Sequence, residues 1–526
     1  MNMQWLDAPA PLAKQIEGVQ ISRMMHLVWM ARPDLRSAFD LDTEAGQRRF
    51  ADWFQVSAFR EYGITPAAPG ASAASSSRDA QSGEAGAAGP YGLLLRSESA
   101  ARSLGRALPA LVRKAGVAAW QGALRAALRF EARMAPRAQP VAPIASANPP
   151  RVPDIDVAGD AGVTLVGYAR AEIGMGEHVR MTAATLEGRP LAWGIYNYGQ
   201  QLPGRQNATA DESRFIHDNR YKCNLFHVNA DQMLLALLTL GRDFFDRRYN
   251  IGYWAWELAH CPEEWDAPMS LVDELWAPSR FIQSALAERA RVRVEYMPLC
   301  VELPQFAPGT RAQFGLPDDA FLFLYTFDFL SYVDRKNPLA AVRAFRAAFP
   351  TGAEKAGLVL KAMNADESNP RWRELQQAID GDPRIAIINR TFDRHEVLQL
   401  FDVCDCFVSL HRSEGFGRGP AEAMYLGKPV ILTDYSGTTD FANEHNACPV
   451  RYRLVPVGET EYVFPTGQEW ADPDAEHAAW HMKRLAADRA LADAIGARAR
   501  ATMREGFNAT RIGDLYERRL RKLGLV

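Results

Sequence analysis

Apolar and polar positions along this 526-residue chain change rhythm several times. Residues 406–410 are almost continuously apolar, the pattern of a parallel strand buried on both faces. Glu414-Gly-Phe-Gly417 follows and predicts a turn. A short helix is expected next, with Pro420 near its first position and Gly427 at its C′ end. Pro429 blocks continuation, and residues 430–432 form a second apolar run. Strand, glycine turn, helix, strand is a βαβ unit, and its turn lies at the carboxyl end of a strand, where open parallel sheets bind ligands.

The same alternation continues on both sides. Strands are expected at 162–167, 223–228, 249–254 and 296–301, and again at 321–326, 358–360 and 385–388. Asp393-Arg-His-Glu396 is a capping box opening a helix to 403, and the chain reads as helical from 476 to its end. Two runs of strands and helices of this kind predict an α/β protein with two Rossmann-like domains, 158–305 and 306–505, followed by a terminal helix in 506–526. Upstream, residues 1–64 carry helical periodicity with Trp29, Phe39, Phe50, Trp53, Phe54 and Phe59 on the apolar faces. Residues 65–92 are rich in Ala, Ser and Gly and read as a flexible linker; 93–157 holds a basic helical stretch and a Pro-rich connection.

Charge and cysteines narrow the function classes. A formal net charge of -3 argues against a general nucleic-acid binder. No apolar run approaches the ~18 residues of a membrane span, and the first residues lack the pattern of a signal peptide. Six cysteines in mostly apolar settings, without zinc spacing, fit reduced thiols and a cytoplasmic protein. Within 93–137, nine basic residues face only Glu98 and Glu131, so this helix either lies on an anionic membrane surface or presents a solvated Arg face. Asp154-Ile-Asp156 and Asp472-Pro-Asp474 sit beside proline in linkers, a poor setting for a metal.

Glu414 and Glu422 bracket the central glycine turn eight positions apart. In that setting the stretch resembles the retaining nucleotide-sugar glycosyltransferases of family 4, which have the two-domain GT-B fold and carry an E-x7-E element. The resemblance implies that Glu414 hydrogen-bonds the transferred sugar and Glu422 the ribose, with Gly415, Phe416, Gly417 and Arg418 beside the donor. Lys336, in the turn after 321–326, matches the family's diphosphate lysine. The usual upstream Arg is replaced by Thr326-Phe-Asp-Phe-Leu330, leaving Arg335 or Arg412 to supply the second positive charge. Ser436 and Gly437 resemble the phosphate-side loop, and Gly174 and Gly176 the glycine loop after the first strand; their spacing is not that of a dinucleotide fingerprint.

The family often places a histidine of the first domain beside the sugar. Here no residue matches it clearly, and His227 and Glu257, both at expected strand ends, are the candidates to face the cleft. Trp254, Trp256 and Trp276 either stack on a sugar or pack in the core. The resemblance further implies retention of configuration, no cofactor or metal, a UDP- or GDP-sugar donor and a saccharide or lipid-linked acceptor. It also implies a last helix that crosses back over the first domain. Two other classes fit a doubly wound sheet: a non-catalytic sugar-nucleotide-binding scaffold, or another enzyme such as a nucleotide-sugar epimerase or NAD-dependent oxidoreductase.

Overall fold

A computed structural model of the chain describes residues 157–198, 212–365 and 368–526, and most of 8–62. The linker 65–92, the basic segment 93–137 with its membrane contact, and the Phe59 side chain lie outside the described residues. The chain divides into two compact units. One gathers 1–142, 200–205 and 231–246. Its helices Arg23–Ala31 and Glu44–Tyr62 close over an aromatic core in which the Phe39 and Phe50 rings lie 5.6 Å apart. The Trp29 indole N–H donates to the Phe39 carbonyl at 2.8 Å.

The other unit holds two six-stranded parallel sheets. The first comprises β1 (Asp160–Gly167), β2 (Trp193–Asn197), β3 (Tyr221–His227), β4 (Tyr249–Tyr253), β5 (Glu274–Ala277) and β6 (Arg293–Tyr296), in the order β2-β1-β3-β4-β5-β6. The second comprises β7 (Phe321–Asp328), β8 (Ala356–Met363), β9 (Ile385–Asn389), β10 (Cys406–Ser409), β11 (Val430–Thr433) and β12 (Cys448–Val450), in the order β12-β11-β10-β7-β8-β9. Both sheets are built from runs buried on both faces, as parallel sheets covered by helices must be. Strand order reverses between β1 and β3 and between β7 and β10, and ligand crevices form outside the carboxyl ends at such reversals.

Three expectations need correction. The strand placed at 296–301 ends at Tyr296, because Pro298 has no N–H to give and the Val301 N–H goes to the Phe507 carbonyl at 2.7 Å. An antiparallel hairpin, β13 (Tyr452–Pro456) with β14 (Glu469–Pro473), stands where no element was expected; β13 is almost wholly exposed and so has no apolar run to betray it. Asp472-Pro-Asp474 is therefore no linker: Pro473 ends β14, and Asp474 caps the helix Ala475–Ala487 by accepting the His477 N–H.

The last helix, Ala509–Lys522, packs on the helix Gly174–Leu186 of the first lobe. Arg519 forms a two-pronged pair with Glu274 of β5, whose carboxylate is fully buried and also accepts from the Trp276 indole at 2.8 Å. Tyr516 donates to the Pro298 carbonyl at 2.8 Å. Removing one partner of a buried pair strands the other charge, so Arg519→Ala should cost about 3–5 kcal/mol in urea unfolding. A loss below about 1 kcal/mol would mean that water already solvates this pair.

At the reversal of the first sheet, the rings of His178 and His227 meet edge-on with centroids 4.8 Å apart, both buried. Among the described residues, neither ring nitrogen of His227, nor Nε2 of His178, has a hydrogen-bond partner. Burial depresses both, His178 to about 3 and His227 well below the ordinary value with His178 adding to the effect. Both are therefore neutral at pH 7, while in the unfolded chain they take up protons below about 6.5. Stability should fall as pH drops from 6.5 toward 3, at up to ~1.4 kcal/mol per pH unit for each histidine. His178→Phe should flatten that slope in urea titrations at stepped pH; an unchanged slope would count against the assignment.

Candidate active site

The turn after β7 is built to aim two cations. Tyr332 (φ 59°) and Asn337 (φ 55°) both take the left-handed conformation and bracket the single helical turn Val333–Lys336. Tyr325 donates its hydroxyl to the Lys336 carbonyl, and the Asn337 amide donates to the Leu410 carbonyl at 3.1 Å. The Arg412 N–H donates to the Arg335 carbonyl at 2.8 Å. These bonds tie the exit of β7 to the exit of its neighbour β10, so Arg335 and Lys336 emerge at the strand-order reversal.

Glu414 is held from the other side. Its N–H donates to the Ser436 hydroxyl at 2.8 Å, and its carbonyl accepts the Gly437 N–H at 2.9 Å. A Cβ on Gly437 would lie 1.9 Å from the Gly415 carbonyl oxygen, so only glycine lets the two loops approach. The Ser436 hydroxyl in turn donates to the Tyr435 carbonyl at 2.6 Å. Ser436 and Gly437 thus position Glu414, and their groups are used within the protein rather than presented to a phosphate.

The two turns meet through charge. Lys336 Nζ donates to Glu414 Oε1, and Arg335 Nη1 lies 3.3 Å from Glu414 Oε2 while donating to the Ser413 carbonyl at 2.8 Å. Arg335 Nη2 lies 3.9 Å from Glu257 of the first lobe, whose other oxygen accepts the Tyr462 hydroxyl. Burial would raise the Glu414 pKa, but Lys336, Arg335 and His411 hold it at about 2. Arg335, Lys336, Glu257 and Glu414 form a quartet with no net charge.

A second ionic chain surrounds the other carboxylate. Glu422 accepts two bonds of 2.9 Å from Arg394, and Arg418 Nε lies 3.5 Å away. Arg418 also reaches Glu177 of the helix Gly174–Leu186 at 3.8 Å, and Glu177 pairs with Arg180 at 2.7 Å. Burial opposes ionisation of Glu177, yet Arg418, Arg180 and Arg394 hold it at about 2. The Arg418–Glu177 contact thus links the first turns of two helices, Gly174–Leu186 and Arg418–Tyr425, across the lobes.

Several expected site residues lie elsewhere. His227 was expected to face the cleft; it is fully buried beneath it, among His178 and Tyr253. Phe416 is core, packed on Phe441 at 5.5 Å and Phe507 at 6.3 Å. Arg412 turns away from Glu414 toward Glu461 and Asp472. Gly174 and Gly176 sit in the first helical turn rather than in a loop, and a Cβ on Gly176 would lie 2.2 Å from the Ala171 carbonyl oxygen. Gly417 adopts φ 89° at the helix N-cap, and Gly415 abuts the Trp256 carbonyl of the first lobe. Trp254, Trp256 and Trp276 are all buried.

Other residues at the site escaped the sequence reading. Arg394 follows the capping Asp393, and only the cap drew notice. Tyr462 lies between β13 and β14, where no periodicity marks it. In the same segment Gln468 exchanges hydrogen bonds with the His260 backbone at 2.8 and 3.2 Å.

Residues 382–502 match the family model described as Glycosyl transferases group 1. No curated protein matches the sequence. Sucrose-phosphate synthase from Thermosynechococcus elongatus superposes with a TM-score of 0.51 at 17% identity, over 69% of this chain and 99% of that one. HepE of Anabaena, solved with UDP and glucose, gives 0.49 at 14% identity over 69% and 100%. A glycosyltransferase from Rickettsia africae ESF-5 gives 0.48 at 14% identity over 69% and 98%. The chain has the two-lobed GT-B fold, and its second lobe carries a segment similar to the Glycosyl transferases group 1 family.

Proposed function

We propose that the chain transfers a hexosyl residue, of the glucose or mannose type, from a nucleoside-diphosphate sugar to a saccharide or lipid-linked acceptor, with retention of anomeric configuration. The observation that carries this reading is the buried Glu414 carboxylate seated between Lys336 and Arg335 at the strand-order reversal of the second sheet. It lies in the segment similar to group 1 glycosyltransferases.

In this reading the anomeric C–O bond breaks and its electron pair leaves on the diphosphate. Lys336 exchanges its Glu414 partner for a diphosphate oxygen as the donor enters. Glu414, kept ionised by Lys336 and Arg335 before the donor enters, presents a carboxylate that accepts hydrogen bonds, which suits it to sugar hydroxyls. The N–H groups opening the helix Arg418–Tyr425 and the Arg418 guanidinium add positive potential where negative charge builds. Glu422 takes the ribose in exchange for part of its bond to Arg394, and Glu257 faces the acceptor. Phosphate charge is met by protein cations, so the proposal calls for no metal. Among the described residues, no helix is long and apolar enough to cross a membrane. A lipid-linked acceptor would be met from the cytoplasmic face through the basic segment 93–137.

UDP or GDP should raise the melting temperature of the wild type. Glu414→Ala should abolish transfer yet keep most nucleotide affinity, and Lys336→Ala should lose about 10²–10³ in turnover, or ~2.7–4 kcal/mol. Turnover should survive EDTA. Wild-type turnover in Glu414→Ala would refute the assignment, and nucleotide binding with background donor hydrolysis would favour a scaffold. Stabilisation by NAD alone would favour an oxidoreductase.

A further inference from the structure

Glu257 belongs to the first lobe, but the groups that orient it come from the second. Arg335 Nη1 lies 3.3 Å from Glu414 Oε2 and Nη2 lies 3.9 Å from Glu257 Oε1, so one guanidinium spans both carboxylates. Glu257 Oε2 accepts the Tyr462 hydroxyl. The Glu257 side chain is 23% exposed. Its Oε1 stands beyond hydrogen-bond reach of Arg335 and keeps its lone pairs for a hydroxyl arriving from solvent.

Tyr462 sits in the connection between β13 and β14, which is folded tightly on itself. The Val457 N–H donates to the Gln468 carbonyl at 2.9 Å, and the Gly458 N–H to the Glu461 carboxylate at 2.8 Å. The first lobe grips this connection. Gln468 exchanges two hydrogen bonds with the backbone of His260, whose carbonyl also accepts the Trp256 indole N–H at 3.0 Å. The Tyr462 ring is boxed in by Tyr332 at 4.6 Å, Trp256 at 5.9 Å and the Arg335 guanidinium at 5.9 Å. Burial, with Glu257 adding to it, pushes the phenol well above its usual value, so the hydroxyl remains a donor.

We infer that Tyr462 is a positioning residue for sugar transfer. Its hydroxyl fixes the Glu257 carboxylate so that the other oxygen receives an acceptor hydroxyl, and the β13–β14 connection of the second lobe completes the acceptor side of the first. A glutamate held by nothing must order its side-chain torsions at each turnover, and a bond made in advance removes that cost. A neutral donor suits the task. A guanidinium in its place would occupy both oxygens at once, as Arg394 does with Glu422. The role in acceptor binding rests on the sugar-transfer reading; the bond that orients Glu257 does not.

Tyr462→Phe removes the hydroxyl and leaves the boxed ring. Wild type, Tyr462→Phe, Glu257→Ala and the double variant are compared in urea unfolding. Wild type and Tyr462→Phe are also compared in steady-state transfer from UDP-glucose or GDP-mannose to methyl glucoside or methyl mannoside. Tyr462→Phe should lower kcat/KM for the acceptor by about tenfold, the cost of one bond to a charged group, with the donor KM unchanged. Where water alone serves as acceptor, kcat for donor hydrolysis should fall by the same factor, again at unchanged donor KM. In unfolding, the midpoint should drop on Tyr462→Phe in the wild-type background and stay put in the Glu257→Ala background. A merely structural tyrosine would shift both KM values or neither, and would cost the same in both backgrounds; either result overturns the inference. A wild type that neither transfers nor hydrolyses a nucleotide sugar would remove the transfer reading, and the positioning role with it, even while the unfolding cycle still reported the bond.

Discussion

A carboxylate taken out of water between two cations is the constraint on which this site depends. Burial alone would push the Glu414 proton on; Lys336 and Arg335 keep it off. Glu414 in turn offsets part of the cost of burying both cations, and Arg335 has Glu257 as a second carboxylate at 3.9 Å. Two turns from different crossovers must therefore meet at the β7–β10 reversal. The left-handed residues Tyr332 and Asn337, the glycine contact between 415 and 437 and the Ser436 bond are the local terms that make them meet. A substrate phosphate would not find bare positive charge here. In the proposed reading it would compete with Glu414 for Lys336, and donor entry would release the carboxylate.

The same logic joins the lobes. Arg418 of the second lobe lies 3.8 Å from Glu177 of the first, the Tyr462 hydroxyl donates to Glu257, and Gly415 abuts the Trp256 carbonyl. Away from the site, the last helix returns to the first lobe through the Arg519–Glu274 pair and through Tyr516. Both sets of contacts are polar and largely buried.

Much of this was legible in order along the chain. Apolar runs located most strands of both sheets because parallel strands buried on both faces need no alternation. Glu414, Glu422 and Lys336 drew notice through the family resemblance, and the turns that hold them carry local marks: glycines where backbones approach, a helix start after Gly417, a basic pair before Pro338. The β13–β14 hairpin was not, since its exposed first strand leaves no hydrophobic signature. With it went Tyr462, and with the hairpin unseen, the destination of Arg412 could not be inferred.

The sequence by itself determined the alternation of strands and helices and the α/β class, and it offered Glu414, Glu422 and Lys336 as candidates through a family resemblance. Only the tertiary structure decided which charges pair. It put Arg335 rather than Arg412 on Glu414, sent Arg394 and Arg418 to Glu422, sealed His227 beneath the first sheet's reversal and placed Phe416 in the core. The reason is physical. Backbone preferences act over a few residues and leave their mark in composition, whereas an ion pair or a buried ring is settled by which distant segments arrive opposite it.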